Sequence, residues 1–311
     1  MKINLANIKK AEKLLNKSEC IAVPTETVYG LAGNAYSDTA CKKIFRIKKR
    51  PINNPLIVHY YNYQELMKDC YFNENFIKLY KKFCPGPLTF ILELRKDTKI
   101  SKITNNNQKT LAVRFPKHPV MRNLLKRLDF PLAAPSANLS TKVSAVNPSQ
   151  VKEDFGKKIK YILNGGKSKI GVESTIIDLR KKPKILRLGG LEVSNIQKTL
   201  NKKIIIANNP KKILSPGQFK LHYSPGIPIK LNVKKFKDKK EAFLLLKKTK
   251  KIKSNYFFLS KKGSLREAAR NLYSTLRQIK KKKYKSIAVS KIPNRGLGRT
   301  INDRLLRASK Y

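Results

Sequence analysis

The first 200 residues mix two spacings of hydrophobic positions, one typical of helices and one typical of strands. Helical spacing predicts helices over residues 8–17, 65–70, 75–83 and 119–128, and one that Ser37 caps and that runs to about Lys48. Short apolar runs predict strands over residues 21–23, 56–60, 88–92, 111–115, 161–163, 175–179 and 185–188. Because these elements do not alternate strictly, we expect a twisted mixed α/β sheet rather than a βαβ series.

The pattern changes after residue 200. From 201 to 228 the periodicity weakens, and Asn208-Asn209-Pro210 and Ser215-Pro216-Gly217 are turn-forming sequences, so we expect a linker. Beyond it a strand precedes a helix three times: 229–233 before 239–248, 256–259 before 265–280, and 287–290 before 299–309. Three βα units predict a small Rossmann-like parallel sheet. The expected domains are 1–200 and 229–311, with the linker over 201–228.

Composition excludes some classes of protein. Of 311 residues 41% are hydrophobic, which is enough for a packed core and excludes a fully disordered basic chain. No apolar run approaches the roughly 18–20 residues of a membrane span, and the first residues lack the apolar stretch of a signal peptide. We therefore expect a soluble, cytoplasmic protein without membrane partners. Four cysteines without a C-x-x-C pair and three histidines predict reduced thiols and no structural zinc site.

The net charge allows two interpretations. Lys and Arg number 70 against 19 Asp and Glu, which gives +51. A cationic surface releases counterions on binding nucleic acid, so a polyanionic partner is one interpretation. The other is biased composition, because Lys, Asn and Ile are abundant throughout and the lysines are spread evenly. The charge alone therefore names no function.

Common catalytic signatures are missing from the chain. It has no Walker loop, no G-x-G-x-x-G after a strand, no H-E-x-x-H and no G-x-S-x-G. Instead, loops at predicted strand and helix ends combine hydroxyl groups with fixed cations, at residues 24–31, 48–56, 110–116, 134–138 and 173–175. Ligands of open α/β sheets bind at strand ends, so these loops predict a cationic, hydroxyl-lined cleft for phosphates and carboxylates.

Each piece also has an ordinary structural interpretation. Lys48 and Arg50 could be a solvated helix C-terminus, and Arg114 could pair with a carboxylate. Thr27 could cap a helix, and Ser136 and Asn138 could form a turn. His59 lies in an apolar strand, where a histidine usually belongs to the core. The residues alone leave these alternatives open.

Several ordered motifs resemble the YrdC/Sua5 family. They are Pro24–Leu31, Lys48-x-Arg50-Pro51 with Asn54-Pro55-Leu56, Pro85-Gly86-Pro87-Leu88-Thr89, Ser136-x-Asn138, Ser215-Pro216-Gly217 with His222-Tyr223-x-Pro225, and Gly296-Leu297-Gly298 with Ile301-Asn302-Asp303-Arg304-Leu305. The resemblance covers nearly the whole chain. It implies a YrdC-like mixed-sheet domain followed by a small parallel-sheet Sua5 domain.

The resemblance also implies an activity. Members of this family are nucleotidyltransferases that form threonylcarbamoyl-AMP and pyrophosphate from L-threonine, bicarbonate or CO2, and ATP, with Mg2+ accompanying ATP. The product feeds t6A modification of tRNA through a downstream threonylcarbamoyl-transferase complex, and double-stranded RNA binding is a further expectation. A non-catalytic RNA-binding protein remains the alternative, although the chain has no recognisable RNA-binding motif.

Site residues follow from the matching motifs. The resemblance implies threonine binding by Thr27, His59, Arg114, Ala134 and Ser174. It implies ATP binding by Arg50, Asn54, Thr110, Ser136, Ser144, Arg187 and Tyr223. Lys48 and Arg50 would be catalytic, Asn138 would shape the Ser136 loop, and residues 215–225 would form a lid over the cleft. No sequence feature identifies a protein ligand for Mg2+.

The chain departs from the family pattern at a few positions. Cys84 stands where a Trp usually precedes Pro-Gly-Pro-Leu-Thr, Asn164 replaces a more usual Asp, Leu221 replaces a frequent Arg, and Ala32-Gly33 reverses the common order. The Lys-x-Arg and Ser-x-Asn motifs are intact.

Overall fold

The computed structural model describes residues 4–207, 222–250 and 252–310. These residues form two β-sheets with flanking helices. Most of the predicted linker, including Asn208-Asn209-Pro210, Ser215-Pro216-Gly217 and Leu221, lies outside the described residues.

The first sheet is mixed. Its strands are β1 Ile21–Val23, β2 Gly30–Asn34, β3 Ile57–His59, β4 Cys70–Tyr71, β5 Leu88–Leu94, β6 Thr110–Arg114, β7 Leu132–Ala133, β8 Thr175–Asp178, β9 Lys184–Arg187 and β10 Ile205–Ile206. They are ordered β1-β2-β7-β3-β6-β5-β8-β9-β10, and β4 also pairs with β5. The pairs β3–β6, β5–β8 and β9–β10 are parallel and the other pairs are antiparallel. The predicted mixed sheet is confirmed, and through β10 it extends past residue 200.

Helices in this part of the chain are α1 Leu5–Asn16, α2 Asp38–Lys48, α3 Tyr63–Leu66, α4 Glu74–Phe83, α5 Pro119–Arg127, α6 Pro148–Phe155 and α7 Val193–Leu200. The Ser37 hydroxyl caps α2 by accepting from the Ala40 amide at 3.2 Å, as predicted. Helix α2 ends with Lys49 in the left-handed region, at φ 50°. This turn directs the chain from Lys48 into Arg50, so it sets where both cations lie.

Two predicted elements in the first sheet's region were wrong. The helix over 65–70 ends at Leu66, and Cys70 begins β4. The Asp69 carboxylate is buried and accepts from the Tyr36, Tyr60 and Thr98 hydroxyls, which fixes the chain in a turn. The segment 161–163 is not a strand, because only Ile162 forms an isolated bridge, to Ala22.

The second sheet is entirely parallel. It contains β11 Ile229–Lys230, β12 Glu241–Lys247, β13 Tyr256–Ser260 and β14 Ser286–Val289, in the order β11-β14-β12-β13. Helices α8 Leu265–Lys281 and α9 Leu297–Ala308 accompany it. The parallel sheet is confirmed, but the predicted helix over 239–248 was wrong. This segment is the strand β12, which lies between β13 and β14.

Helices α8 and α9 join the two sheets into one structure. Buried residues of α8, including Tyr273 and Leu276, share a hydrophobic cluster with Val28, Val143 and Val172 of the first domain. The Arg277 guanidinium pairs with the Asp154 carboxylate at 2.5 Å and is mostly buried. The second domain therefore packs against the loops in which the site residues were predicted.

Candidate active site

A cavity of about 30 Å³ lies where these loops meet. Seven of the predicted site residues line it: Arg50, His59, Arg114, Ala134, Ser136, Arg187 and Tyr223. A cavity of this size holds about two water molecules, whereas small-molecule sites usually measure roughly 300–1,000 Å³. The cavity is therefore smaller than a usual small-molecule site.

Arg50 is held by the turn that follows it. Its Nε donates to the Asn54 carbonyl at 2.8 Å, and its Nη2 donates to the Pro55 carbonyl at 2.8 Å and to the Asn54 side-chain oxygen. Burial, with a smaller contribution from the nearby Arg187, lowers the pKa of Arg50 to about 9. Asn54 thus orients the arginine and does not line the cavity. Thr110 also lies outside the lining, two residues before Ala112, which pairs with Ile57.

Lys48 lies behind the Ser136 loop. Its amine donates to the main-chain carbonyls of Ser136 and Asn138, and the residue is 1% exposed. Burial and then the Arg50 charge lower the pKa of Lys48 well below its usual range. The alternative of a solvated helix end is wrong for both Lys48 and Arg50, because both are buried. Lys48 is therefore placed to hold the Ser136 loop through its two main-chain carbonyl acceptors.

The Ser136 loop is also fixed from its other side. The Leu31 amide donates to the Pro135 carbonyl at 2.8 Å, and the Ala137 amide donates to the Tyr29 carbonyl at 2.7 Å. The Asn138 side chain donates to the carbonyls of Leu139 and Lys142. Asn138 therefore shapes the loop, as expected, while Ser136 and Ala134 face the cavity.

His59 and Arg114 end two neighbouring parallel strands. They are paired in register, so both reach the same edge of the sheet. The Arg114 Nη2 forms a buried ion pair with the Glu26 carboxylate at 2.8 Å, which is the carboxylate pairing that the sequence left open. Among the described residues, the buried Arg114 Nε and His59 Nδ1 have no hydrogen-bond partner. Burial, then the Arg114 charge, lowers the pKa of His59 to about 3, so its imidazole is neutral.

Thr27 lies behind this end of the cavity. It is fully buried, and its hydroxyl lies 2.8 Å from that of Thr25, which itself lines the cavity. The Thr25 hydroxyl also accepts from the Thr27 and Val28 amides, at 3.2 Å each. Thr27 caps no helix, since the chain continues into β2.

Glu173, which the sequence analysis did not assign a role, is the carboxylate among the described lining residues. It accepts from the hydroxyls of Ser144, at 2.6 Å, and Tyr273, at 2.8 and 3.0 Å, and from the Arg304 Nε, at 2.9 Å. Burial alone would raise the pKa of Glu173, but Arg304 and Arg187 outweigh it and lower the pKa to about 2. Ser144 therefore reaches the site through this carboxylate.

Ser174 and Arg187 form a second pair beside Glu173. The Arg187 Nη2 donates to the Ser174 carbonyl at 2.9 Å and to its hydroxyl at 3.0 Å, and Nε donates to the same carbonyl. The Ser174 hydroxyl lies 2.7 Å from that of Thr89. Arg187 lines the cavity and Ser174 holds it from behind.

His222 and Tyr223 close the cavity. Both are buried against it, and the Tyr223 ring stacks on the Tyr273 ring at 5.9 Å. Among the described residues, the Tyr223 hydroxyl and the His222 Nδ1 have no hydrogen-bond partner. Burial raises the pKa of Tyr223 to about 12 and lowers that of His222 to about 3, so both are neutral. The part of the predicted lid that the structure describes thus lies over the site.

The described residues offer no cage for a metal ion. Within residues 4–207, 222–250 and 252–310, no group of three or more His, Cys, Asp or Glu side chains could hold one. Glu173 already accepts four hydrogen bonds from side chains. None of the helices that the structure describes combines the length and apolar character that a membrane crossing requires.

Known proteins resemble the chain over its whole length. Residues 13–189 match the Sua5/YciO/YrdC family model, described as telomere recombination, and residues 191–310 match a model described as the C-terminal domain of threonylcarbamoyl-AMP synthase. Threonylcarbamoyl-AMP synthases of Pyrococcus abyssi and Bacillus subtilis are 33% and 32% identical to it, and each alignment covers 98% of this chain and 94% of the relative. The crystal structure of P. abyssi Sua5 complexed with L-threonine superposes with a TM-score of 0.92 at 32% identity, covering 100% of this chain and 96% of that one.

Proposed function

The chain belongs to the Sua5/YciO/YrdC family, and we propose that it is a threonylcarbamoyl-AMP synthase. The reaction joins L-threonine, bicarbonate or CO2, and ATP, and releases pyrophosphate. One observation of the site carries the proposal. Four residues that line the cavity each bury a polar atom without a partner among the described residues: the Arg114 Nε, the Nδ1 of His59 and of His222, and the Tyr223 hydroxyl. Three arginines, Arg50, Arg114 and Arg187, line the same cavity. Such unpartnered polar atoms are costly to bury unless a ligand completes their hydrogen bonds.

Threonine would bind at the His59–Arg114 end. The Arg114 Nε is a charged donor for the amino-acid carboxylate, and Glu26 holds the guanidinium in place. The neutral His59 imidazole suits the hydroxyl or the amine, because it adds no charge that would repel an ammonium group. Ala134 supplies the apolar wall and Thr25, fixed against Thr27, a further hydroxyl.

ATP would bind at the Arg50–Arg187 end, under Tyr223. Both guanidiniums are fixed by carbonyl acceptors, so they meet the phosphates already oriented. Ser136 adds a hydroxyl group between the two ends. Mg2+ would arrive as part of the substrate, held by phosphates and water, because the described residues provide no metal cage.

The chemistry requires anionic reactants to be held together. The threonine amine attacks CO2 or bicarbonate to give a carbamate, and a carbamate oxygen attacks the α-phosphorus of ATP as pyrophosphate leaves. Positioning and fixed positive charge lower the barrier to such a step. Arg50 and Arg187 would offset charge on the phosphates, and Lys48 would keep the Ser136 loop in place. Closure under Tyr223 would exclude water from the labile adenylate.

Pyrophosphate release tests this proposal. Purified protein with ATP, Mg2+, bicarbonate and L-threonine should release pyrophosphate and form threonylcarbamoyl-AMP, identified by mass. L-Valine, in which a methyl group replaces the hydroxyl group, is the matched control and should react at least about 100-fold less efficiently, since a site that hydrogen-bonds a hydroxyl penalises its loss strongly. No threonine-dependent release from folded protein, or equal rates with valine, would contradict the proposed site.

The product's use and the compartment are further proposals. A reactive adenylate must be consumed near its source, so we propose that a downstream threonylcarbamoyl-transferase complex takes it to tRNA in the cytoplasm.

The +51 charge supports contact with tRNA or double-stranded RNA through phosphates. If so, binding of a tRNA should weaken steeply between 50 and 200 mM salt, and a DNA duplex of equal length should bind within a few fold. Binding that is insensitive to salt would argue against this phosphate contact.

A further inference from the structure

Two side chains of the second domain reach a carboxylate in the wall of the first domain's cavity. Tyr273 on α8 and Arg304 on α9 both donate to Glu173. Tyr273 is 0% exposed, Arg304 1% and Glu173 6%, so these bonds are shielded from solvent. Glu173 immediately precedes Ser174, whose carbonyl and hydroxyl hold Arg187. The second domain thus touches the segment that orients a cavity arginine.

Arg304 also binds the main chain just after Arg187. Its Nη2 donates to the carbonyl of Leu188, the residue after Arg187, at 2.7 Å. One guanidinium therefore binds the residue before Ser174 and the residue after Arg187. Thr300, one turn earlier on α9, donates its hydroxyl to the Gly189 carbonyl at 3.0 Å. A Cβ at Gly189 would lie 2.2 Å from the Ser174 carbonyl carbon, so only a glycine lets the chain pass this close to Ser174.

Tyr273 and Arg304 also contact Tyr223, which lines the cavity. The Arg304 guanidinium lies 4.5 Å from the centre of the Tyr223 ring. The Tyr273 ring also stacks on the Tyr223 ring, at an interplanar angle of 16°. Glu173 compensates Arg304 and Arg187, which would otherwise repel each other in a buried site. Tyr273, Arg304 and Glu173 therefore link the wall and the cover of the nucleotide end.

We propose that Tyr273 and Arg304 are positioning residues for the nucleotide end of the site, acting through Glu173 on Arg187 and directly on Tyr223. The second domain then supplies part of the active-site geometry and is more than an attached module. This inference rests on the proposed function for its kinetic test.

Tyr273→Phe is the mildest variant, because it removes one hydroxyl and keeps the ring under Tyr223. Arg304→Lys keeps the charge but cannot bridge Glu173 and Leu188 with one planar fork. In both variants we expect KM for ATP to rise at least fivefold. A small drop of the thermal midpoint, about 2–4 °C, is also expected from the lost hydrogen bonds. A purely structural contact would lower the midpoint and leave KM for ATP unchanged, and that outcome would overturn the proposal.

Matched controls come from the same domain. Tyr284→Phe removes a hydroxyl that donates to the Ser254 carbonyl, remote from Glu173, and Arg299→Lys changes an exposed arginine on α9. Both should keep the wild-type KM for ATP. If Tyr273 acts through Glu173, Tyr273→Phe should change KM less than twofold in a Glu173→Gln background. If Tyr273→Phe raised KM for ATP in the Glu173→Gln background as much as in the wild type, Tyr273 would not act through Glu173.

A measurement without substrate separates this inference from the proposed function. Hydrogen exchange of peptides spanning residues 173–190 should accelerate in ligand-free Tyr273→Phe and Arg304→Lys, while peptides of β12 and β13 stay at the wild-type rate. This result can be obtained even if the protein releases no pyrophosphate. Unchanged exchange over residues 173–190 in both variants would overturn the positioning role.

Discussion

Burial decides the charge of several side chains around the cavity. His59 and His222 are neutral because burial lowers the pKa of each to about 3. Glu173 is ionised because Arg304 and Arg187 outweigh the effect of its burial on its pKa. Near neutral pH, His59 and His222 therefore stay neutral and Glu173 stays ionised.

The neutral histidines predict a pH-dependent stability. An unfolded histidine titrates near pH 6.5, so between about pH 6.5 and 3 the unfolded chain binds more protons than the folded chain and stability falls as the pH falls. From pH 7.5 to 5.5 each such histidine should lower the free energy of unfolding by about 1 kcal/mol. Urea unfolding of His59→Gln at these two pH values should show a loss smaller than wild type by about that amount. An identical loss in both proteins would contradict a buried neutral His59.

Lys48 predicts a second residue-level effect. Lys48→Met keeps most of the aliphatic packing but removes the donor to the Ser136 and Asn138 carbonyls. Since a buried acceptor left without its donor costs about 1–3 kcal/mol, the loop should loosen and kcat should fall at least about tenfold. Lys49→Met, at an exposed position one residue further, should stay within twofold of wild type. Wild-type kcat in Lys48→Met would show that Lys48 does not contribute to turnover.

Individual site residues were predictable where their motif was local. Arg50 and Asn54 lie four residues apart and hold each other, and Ser136 and Asn138 share one loop. The roles of Glu26 and Glu173 were not predictable from the sequence. Their partners, Arg114 and Arg304, are 88 and 131 residues away in the chain. A carboxylate's partner across the fold leaves no spacing signal in the chain.

Elements were predicted best where amphipathic spacing was regular. Helices α2, α4, α5 and α8 formed close to their predicted bounds. Segment 239–248 failed because Ala242–Leu246 is a continuous apolar run, which a buried strand and a buried helix share. The strand forms because β13 and β14 flank it, and its first four residues are buried, as is usual for a central strand of a parallel sheet. Strand β2 was missed since glycines at 30 and 33 weaken its β pattern.

The segment that carries His222 and Tyr223 predicts a closing motion. A cavity of about 30 Å³ cannot hold a nucleotide, so this cover must move outward before ATP enters and return afterwards. We expect protease cleavage after Lys220 to slow when ATP and L-threonine are added together, because closure restrains the neighbouring chain. Tyr223→Ala should blunt that protection, since it removes the ring that stacks on Tyr273 and lies 4.5 Å from the Arg304 guanidinium. Cleavage at equal rates with and without both substrates would show a tether only.

At the scale of the whole molecule, the two domains share one hydrophobic cluster and are joined by two ion pairs, Arg304–Glu173 and Arg277–Asp154. Unfolding of the second domain would expose Val28, Val143 and Val172 and leave Glu173 without two of its donors. Sequence periodicity predicted both sheets but not this dependence, because an interface between domains is formed by residues far apart in the chain.

The net charge of +51 predicts how salt acts on the folded chain. With 70 basic and 19 acidic residues, most cations have no acidic partner available, so compaction brings like charges together. The main ion pairs, Arg304–Glu173 and Arg277–Asp154, are buried and little screened, whereas repulsion between exposed lysines is screened within about 10 Å at 0.1 M salt. Raising sodium chloride from 20 to 300 mM should therefore raise the thermal midpoint by at least about 2 °C. Potassium chloride is the control and should act equally, since screening depends on ionic strength and not on the cation. A midpoint that falls with salt would mean that exposed ion pairs outweigh the repulsion.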